Sequence, residues 1–183
     1  IAQRRVPLML PFGFLLCGMS LMVSMMGEAN PQITNLMPVL QSPLLSIHVA
    51  VIMIAYALLA IIAMNGLVAI GLRINGAHNM PQIERLQDIS RSLLTPAVFC
   101  LTTGIFIGAV WANISWGRYW GWDPKEVWAL ITFLVYAAAF HTESVSKFNK
   151  PVFFHIYIVL AFLTVLMTYF GVNNLLGGMH SYK

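Results

Sequence analysis

All five tryptophans of this 183-residue chain fall in one stretch: Trp111, Trp116, Trp120, Trp122 and Trp128. Indole rings favour membrane interfaces, but a belt of that kind is shared among many helix ends, and no other stretch here carries a tryptophan. Flat apolar rings concentrated in one loop form a platform on which a large planar ligand stacks while its polar edges stay in water. The loop runs into Asp123-Pro124-Lys125-Glu126. A carboxylate at the cap, proline at the first helical position and glutamate at the third is the order of a helix start. Asp123 is therefore read as an N-cap rather than a direct ligand contact, and a capped helix would fix the loop before it.

Five histidines accompany the tryptophans: His48, His78, His141, His155 and His180. Ionisable groups are costly inside a bilayer and are functional candidates there. Neutral imidazole is a common axial ligand of haem iron. His48 and His180, each near the outer end of an apolar segment, could face one another beside the tryptophans; either could instead hydrogen-bond a neighbouring helix. His141 lies 17 residues beyond Pro124, about 25 Å along a helix, and so cannot share a site with His48 or His180. As a ligand it would belong to a second site across the membrane. His155 reaches a similar depth on the next segment, so an internal His141–His155 pair is sterically conceivable, although a headgroup or a backbone carbonyl is the readier partner. His78 sits in a short polar connection and is read as solvated.

The elements that must position these residues are legible in the composition. The chain is 59% hydrophobic and 9% charged, with a mean hydropathy of +0.79, against about 25% charged residues in a soluble domain. A water-soluble fold is excluded. Barrel strands would alternate apolar and polar residues, whereas the apolar runs here are continuous. The expected fold is an all-α polytopic membrane bundle, a single domain over 1–183. Its five spans run from about Val6 to Met26, Pro43 to Leu72, Ser92 to Ala112, Pro124 to Ser146 and Pro151 to Val172, with the tryptophan loop (about 111–128) outside. The first run is too long, and lacks the small-residue cleavage site, for a removable signal peptide. The initial Ile is read as the mark of a processed chain or a piece of a longer polypeptide.

Basic residues are retained on the cytoplasmic side. Arg4, Arg5, Arg73, Arg85, Arg91, Lys147 and Lys150 fall on one side of these spans, and Arg118, Lys125 and Lys183 on the other. This predicts an inner N-terminus and an outer C-terminus, and it makes the net charge of +4 a matter of topology rather than of nucleic-acid binding. Met80 to Ile89 is expected to form a separate amphipathic helix on the inner surface, and Gly27 to Ser42 an irregular outer link. Cys17 and Cys100 lack CxxC spacing and are read as buried free thiols.

The run from Trp116 through Trp122-Asp123-Pro124-Lys125-Glu126 resembles the WWD signature of haem-handling membrane proteins. Its continuation through Trp128 and Thr132 to His141 resembles the CcsA/ResC branch of the cytochrome c synthases. Three further stretches are similar to the same branch: Ser42 to Val49, Gly108 to Ala112, and Gly171 to Leu176 with His180-Ser181-Tyr182. The resemblance implies that His48 and His180 are axial ligands of an external haem b, cradled by Trp116, Trp120, Trp122 and Asp123. It also implies that His141 is one ligand of a second haem within the membrane, the other coming from a CcsB/ResB-type half, fused upstream or separate. The activity it implies is that of a holocytochrome c synthase, working with that half in a bacterial inner or thylakoid-like membrane. Haem would be moved outward and its vinyl groups joined to the thiols of an apocytochrome c CxxCH motif; partners would be that cytochrome and membrane lipid. No catalytic acid or base is assigned. Two other classes compete: a haem transporter that only loads a chaperone, and a di-haem electron-transfer subunit. The Asp-Pro-Lys-Glu continuation and His141 weigh against the first, and the peripheral tryptophan loop and His180 against the second.

Overall fold

Proline opens each helix of the bundle, where its missing N–H costs nothing and its fixed φ suits the first turn. In a computed structural model of the protein, which describes residues 13–14, 17–18, 41–76, 79–141 and 144–176, helix α1 spans Pro43–Ile74, α2 Met80–Trp116 and α3 Pro124–Ala138. A single 3₁₀ turn, Ser146–Asn149, leads into α4, Pro151–Leu166, which widens into π geometry over Met167–Leu176. The chain falls into two compact units, Ile1–Met37 and Pro38–Lys183. In the first, residues 13, 14, 17 and 18 are helical. The rest of the expected first span, most of the Gly27 to Ser42 link, His78 and His180 lie outside the described residues.

The second unit is an all-α membrane bundle. Among the described residues, three helices are long and apolar enough to cross a bilayer: Pro43–Ile74, Met80–Trp116 and Pro151–Val172. Two expectations are corrected. The stretch Met80 to Ile89 is not a separate surface helix but the start of the 37-residue α2. Nothing between Ile89 and Ser92 breaks a helix, and ending it there would free backbone groups that the continuous ladder satisfies. Conversely, the fourth span ends at Ala138 rather than Ser146. Ala139, Phe140 and His141 bond back three residues instead of four, tightening the last turn and leaving 15 residues of α3, about 22 Å. The cysteines also differ from expectation. Both thiols are free, but Cys17 is exposed and Cys100 half-buried, because in a chain whose outer faces meet lipid a thiol needs no protein core to be shielded from water.

The core lies where all four helices meet, around Leu59 and Ile62 of α1, Leu94 and Ala97 of α2, Tyr136 of α3 and Phe154 and Ile158 of α4. Lipid supplies no hydrophobic drive between helices, so close backbone approach and polar cross-links carry the packing. A Cβ on Gly66 would come within 2.7 Å of Val159 Cγ2 and 3.1 Å of the His155 carbonyl; α1 and α4 therefore meet backbone to backbone. The buried Asn65 amide donates to Ser90 Oγ at 3.3 Å.

At the end of the bundle formed by the α2 N-terminus and the α4 N-terminus, one stripe of α2 makes the ties. The Ile83 carbonyl accepts from His155 Nε2 at 3.2 Å. Gln87 Nε2 and an Arg91 guanidinium N–H donate to the Phe148 carbonyl at 3.1 and 2.8 Å. Arg91 also lies 5.5 Å from the Phe154 ring centroid. This clasp gathers Arg85, Arg91, Lys147 and Lys150 at one end of the four-helix bundle, the end where α1 also closes with Arg73.

Candidate functional site

The opposite end is built from four helix termini: the start of α1, the end of α2, the start of α3 and the π segment that follows α4. Between them lies a cavity of about 350 Å³, at the small end of the range for ligand pockets. His48 and Tyr56 enter it from α1, Gly108 and Trp111 from α2, Tyr119 and Trp120 from the loop, Lys125 and Glu126 from α3, and Thr168 and Tyr169 from the π segment. Its walls are mostly apolar and aromatic, with one imidazole and a few hydroxyl and charged groups.

His48 is held from behind by α2. Its Nδ1–H donates to the Gly104 carbonyl at 2.8 Å. A carbonyl only accepts, so the bond sets the tautomer and puts the imidazole lone pair on Nε2, the arrangement that backbone partners impose on metal-ligating histidines. One turn on, Gly108 leaves room for the ring: a Cβ there would stand 2.6 Å from His48 Cε1 and 2.8 Å from Nδ1. Gly104 and Gly108 form a small-xxx-small pair on an apolar helix, a signal present in the sequence that the reading above did not use.

The loop begins where Gly117 takes the left-handed conformation, φ 73°, and ends α2. It closes on α3 through a complete capping box, in which Asp123 accepts from the Lys125 N–H at 3.2 Å. One oxygen of the Glu126 carboxylate accepts from both the Gly121 N–H, at 2.7 Å, and the Asp123 N–H, at 3.2 Å. Asp123 is buried, turned toward its own helix as an N-cap. Asp123→Ala should cost the protein about 1 kcal/mol, the usual worth of a cap. Asp123→Asn should cost much less, read as melting temperature in detergent. Equal losses would mean that the charge, rather than the cap, is what the loop requires.

Of the four loop residues singled out in the sequence, only Trp120 lines the cavity. Trp116 packs edge-to-face on Trp111, centroids 4.9 Å apart, and Trp111, buried, presents the wall. Trp122 is 72% exposed and stands edge-to-face on Trp120 at 6.1 Å. Of the three histidines proposed as metal ligands, His48 is in the cavity, His180 lies outside the described residues, and His141 is exposed just beyond the end of α3, at the other end of the bundle from His48. His155 is fully buried against Phe154 and bonded to Ile83, a tie between helices. Tyr56, Tyr119, Thr168, Tyr169, Lys125 and Glu126 also line the cavity, although their types and spacing do not single them out as cavity residues in the sequence. Below the aromatic wall, Thr132 and Thr168 share a 3.0 Å hydroxyl contact, joining α3 to the π segment.

The chain matches the family model described as cytochrome C assembly protein over residues 3–180. The chain is 38% identical over 172 residues to protein NrfI of Wolinella succinogenes, covering 92% of this chain and 19% of that protein. It is 40% identical over 166 residues to the cytochrome c biogenesis protein CcsA of Chlamydomonas reinhardtii, covering 86% of this chain and 44% of the relative. To CcsA of Synechococcus it is 36% identical over 178 residues, 80% of this chain and 58% of the relative. The chain belongs to the CcsA branch of the cytochrome c assembly proteins, membrane proteins of cytochrome c biogenesis. It spans less than two thirds of the length of these relatives.

Proposed function

We propose that the chain handles haem in cytochrome c biogenesis, bringing it to the outer face of the membrane and presenting it for attachment to apocytochrome c. The observation that carries this reading is His48: an imidazole with its tautomer set by Gly104, opening on a cavity walled by Trp111, Tyr119 and Trp120. A neutral imidazole donor beside flat apolar rings suits an iron porphyrin. His48 Nε2 holds the iron on one side, and His180 is the ligand proposed for the other. Trp120, with Trp122 and Asp123 behind it, keeps the macrocycle in register.

The substrate's vinyl groups would then meet the two thiols of a CxxCH motif. Each thiol adds across a vinyl double bond: sulfur bonds to one carbon, hydrogen to the other, and no net oxidation or reduction occurs. The chain contributes position rather than acid–base chemistry. His141, at the basic and therefore inner end, is proposed to hold haem on entry together with a CcsB/ResB-type half.

Co-expression of the protein with that half and a reporter apocytochrome tests the reading. The expected result is haem that co-purifies with the membrane protein with a bis-histidine reduced-minus-oxidised spectrum, and haem that stays on the reporter after denaturation. Haem on the membrane protein with none on the reporter would identify a transporter instead. No haem in any preparation would end the haem reading.

A further inference from the structure

Trp122 is, among the described residues, the one non-glycine with a positive φ, 56°. A side chain with a Cβ pays for that conformation, so something must hold it. The amides on either side of it, Gly121 N–H and Asp123 N–H, converge on the same oxygen of Glu126 at 2.7 and 3.2 Å. Amides two residues apart can point at one acceptor when the intervening backbone turns back on itself, as in the concave nests that bind anions. The first turn of α3 supplies that acceptor. The bend has a visible product: the Trp122 indole stands at 88° to Trp120, and Trp120 is the loop tryptophan that faces the cavity.

We infer that Glu126 is a positioning residue for the haem site: its carboxylate clamps the backbone around Trp122 in the left-handed conformation, and through the Trp122–Trp120 contact it sets the plane of the cavity wall. This inference rests on the haem reading for its functional half, but not for its structural half. It also assigns a role to Trp122 that its exposure hides. An indole open to its surroundings on most of its surface acts as a buttress behind Trp120 rather than as a wall of the cavity.

The test uses the full protein in detergent. Edge-to-face indoles couple optically, so the Trp120–Trp122 pair contributes an exciton couplet to the circular dichroism, isolated by subtracting the spectrum of Trp122→Phe. Glu126→Ala should lose that couplet in the haem-free protein and weaken titrated haem about tenfold, the size of the left-handed penalty of one residue. Glu126→Gln, which keeps an acceptor oxygen at the same place, should retain the couplet and most of the affinity; it also guards against a general failure to fold. In a Trp122→Gly background, where the bend carries no Cβ penalty, Glu126→Ala should weaken haem by no more than about twofold. A couplet that survives Glu126→Ala overturns the clamp. A couplet lost with haem affinity unchanged overturns its bearing on the site. A wild-type protein that binds no haem, but loses the couplet in Glu126→Ala, keeps the clamp and overturns the haem reading alone.

Discussion

His48→Ala is expected to empty the proposed haem site: haem content of the purified protein should fall to about a tenth or less, because the proposed axial nitrogen donor is removed and nothing else of that chemistry lines the cavity among the described residues. The helical bundle should survive. His48 is only half-buried, and its bond to the Gly104 carbonyl is one contact in an interface spread along two long helices. The measurement is a reduced-minus-oxidised absorption spectrum alongside far-ultraviolet circular dichroism. Imidazole added to the mutant should restore part of the bis-histidine spectrum, since the space left is the size of the missing ring. Unchanged haem content and spectrum would show that His48 serves only to tie α1 to α2.

The second large effect is expected at a residue with no side chain of its own. Gly108→Ala places a methyl group where the His48 ring now lies, 2.6 Å from Cε1. The ring can move, but only by leaving the Gly104 carbonyl that orients it. Disturbing the orienting shell of a metal-ligating histidine costs about 10- to 100-fold in affinity, and that is the loss expected in haem titration. Gly71→Ala is the control. It lies on α1 with nothing within 4 Å of an added Cβ and should leave the titration curve in place. If Gly108→Ala binds haem as the wild type does, the imidazole is not held in the position proposed for it.

How much of this was legible beforehand follows from where the residues sit. The helical bundle was readable because hydrocarbon leaves the backbone few options. The capping box was readable because Asp123, Pro124 and Glu126 act locally, within one turn. His48 and Trp120 stood out as rare residue types in an apolar chain. What could not be read was facing. The long helices are apolar on nearly every side, so no polar stripe marks the inward surface; Tyr56 and Tyr169 look like any other positions until packing turns them to the cavity. Trp116 and Trp122 lie off the cavity wall for different reasons: Trp116 packs on Trp111 at the end of α2, and Trp122, in a left-handed turn, leaves its ring largely exposed. The early end of α3 is likewise a matter of a few hydrogen bonds changing partner, without proline or glycine to announce it.

The polar clasp and the cavity lie at opposite ends of rods. His48 is 26 residues from the end of α1 at Ile74, about 39 Å along the axis. A tilt of α1 by about 2° about its Ile74 end therefore swings the imidazole by more than about 1 Å, enough to break the 2.8 Å bond that orients it. Accuracy at the mouth of the cavity is thus a leverage problem, solved along the whole length of the rods by close contacts such as Gly66 on α4 and Gly108 on His48. A fault far from the ligand should be magnified on its way there rather than diluted.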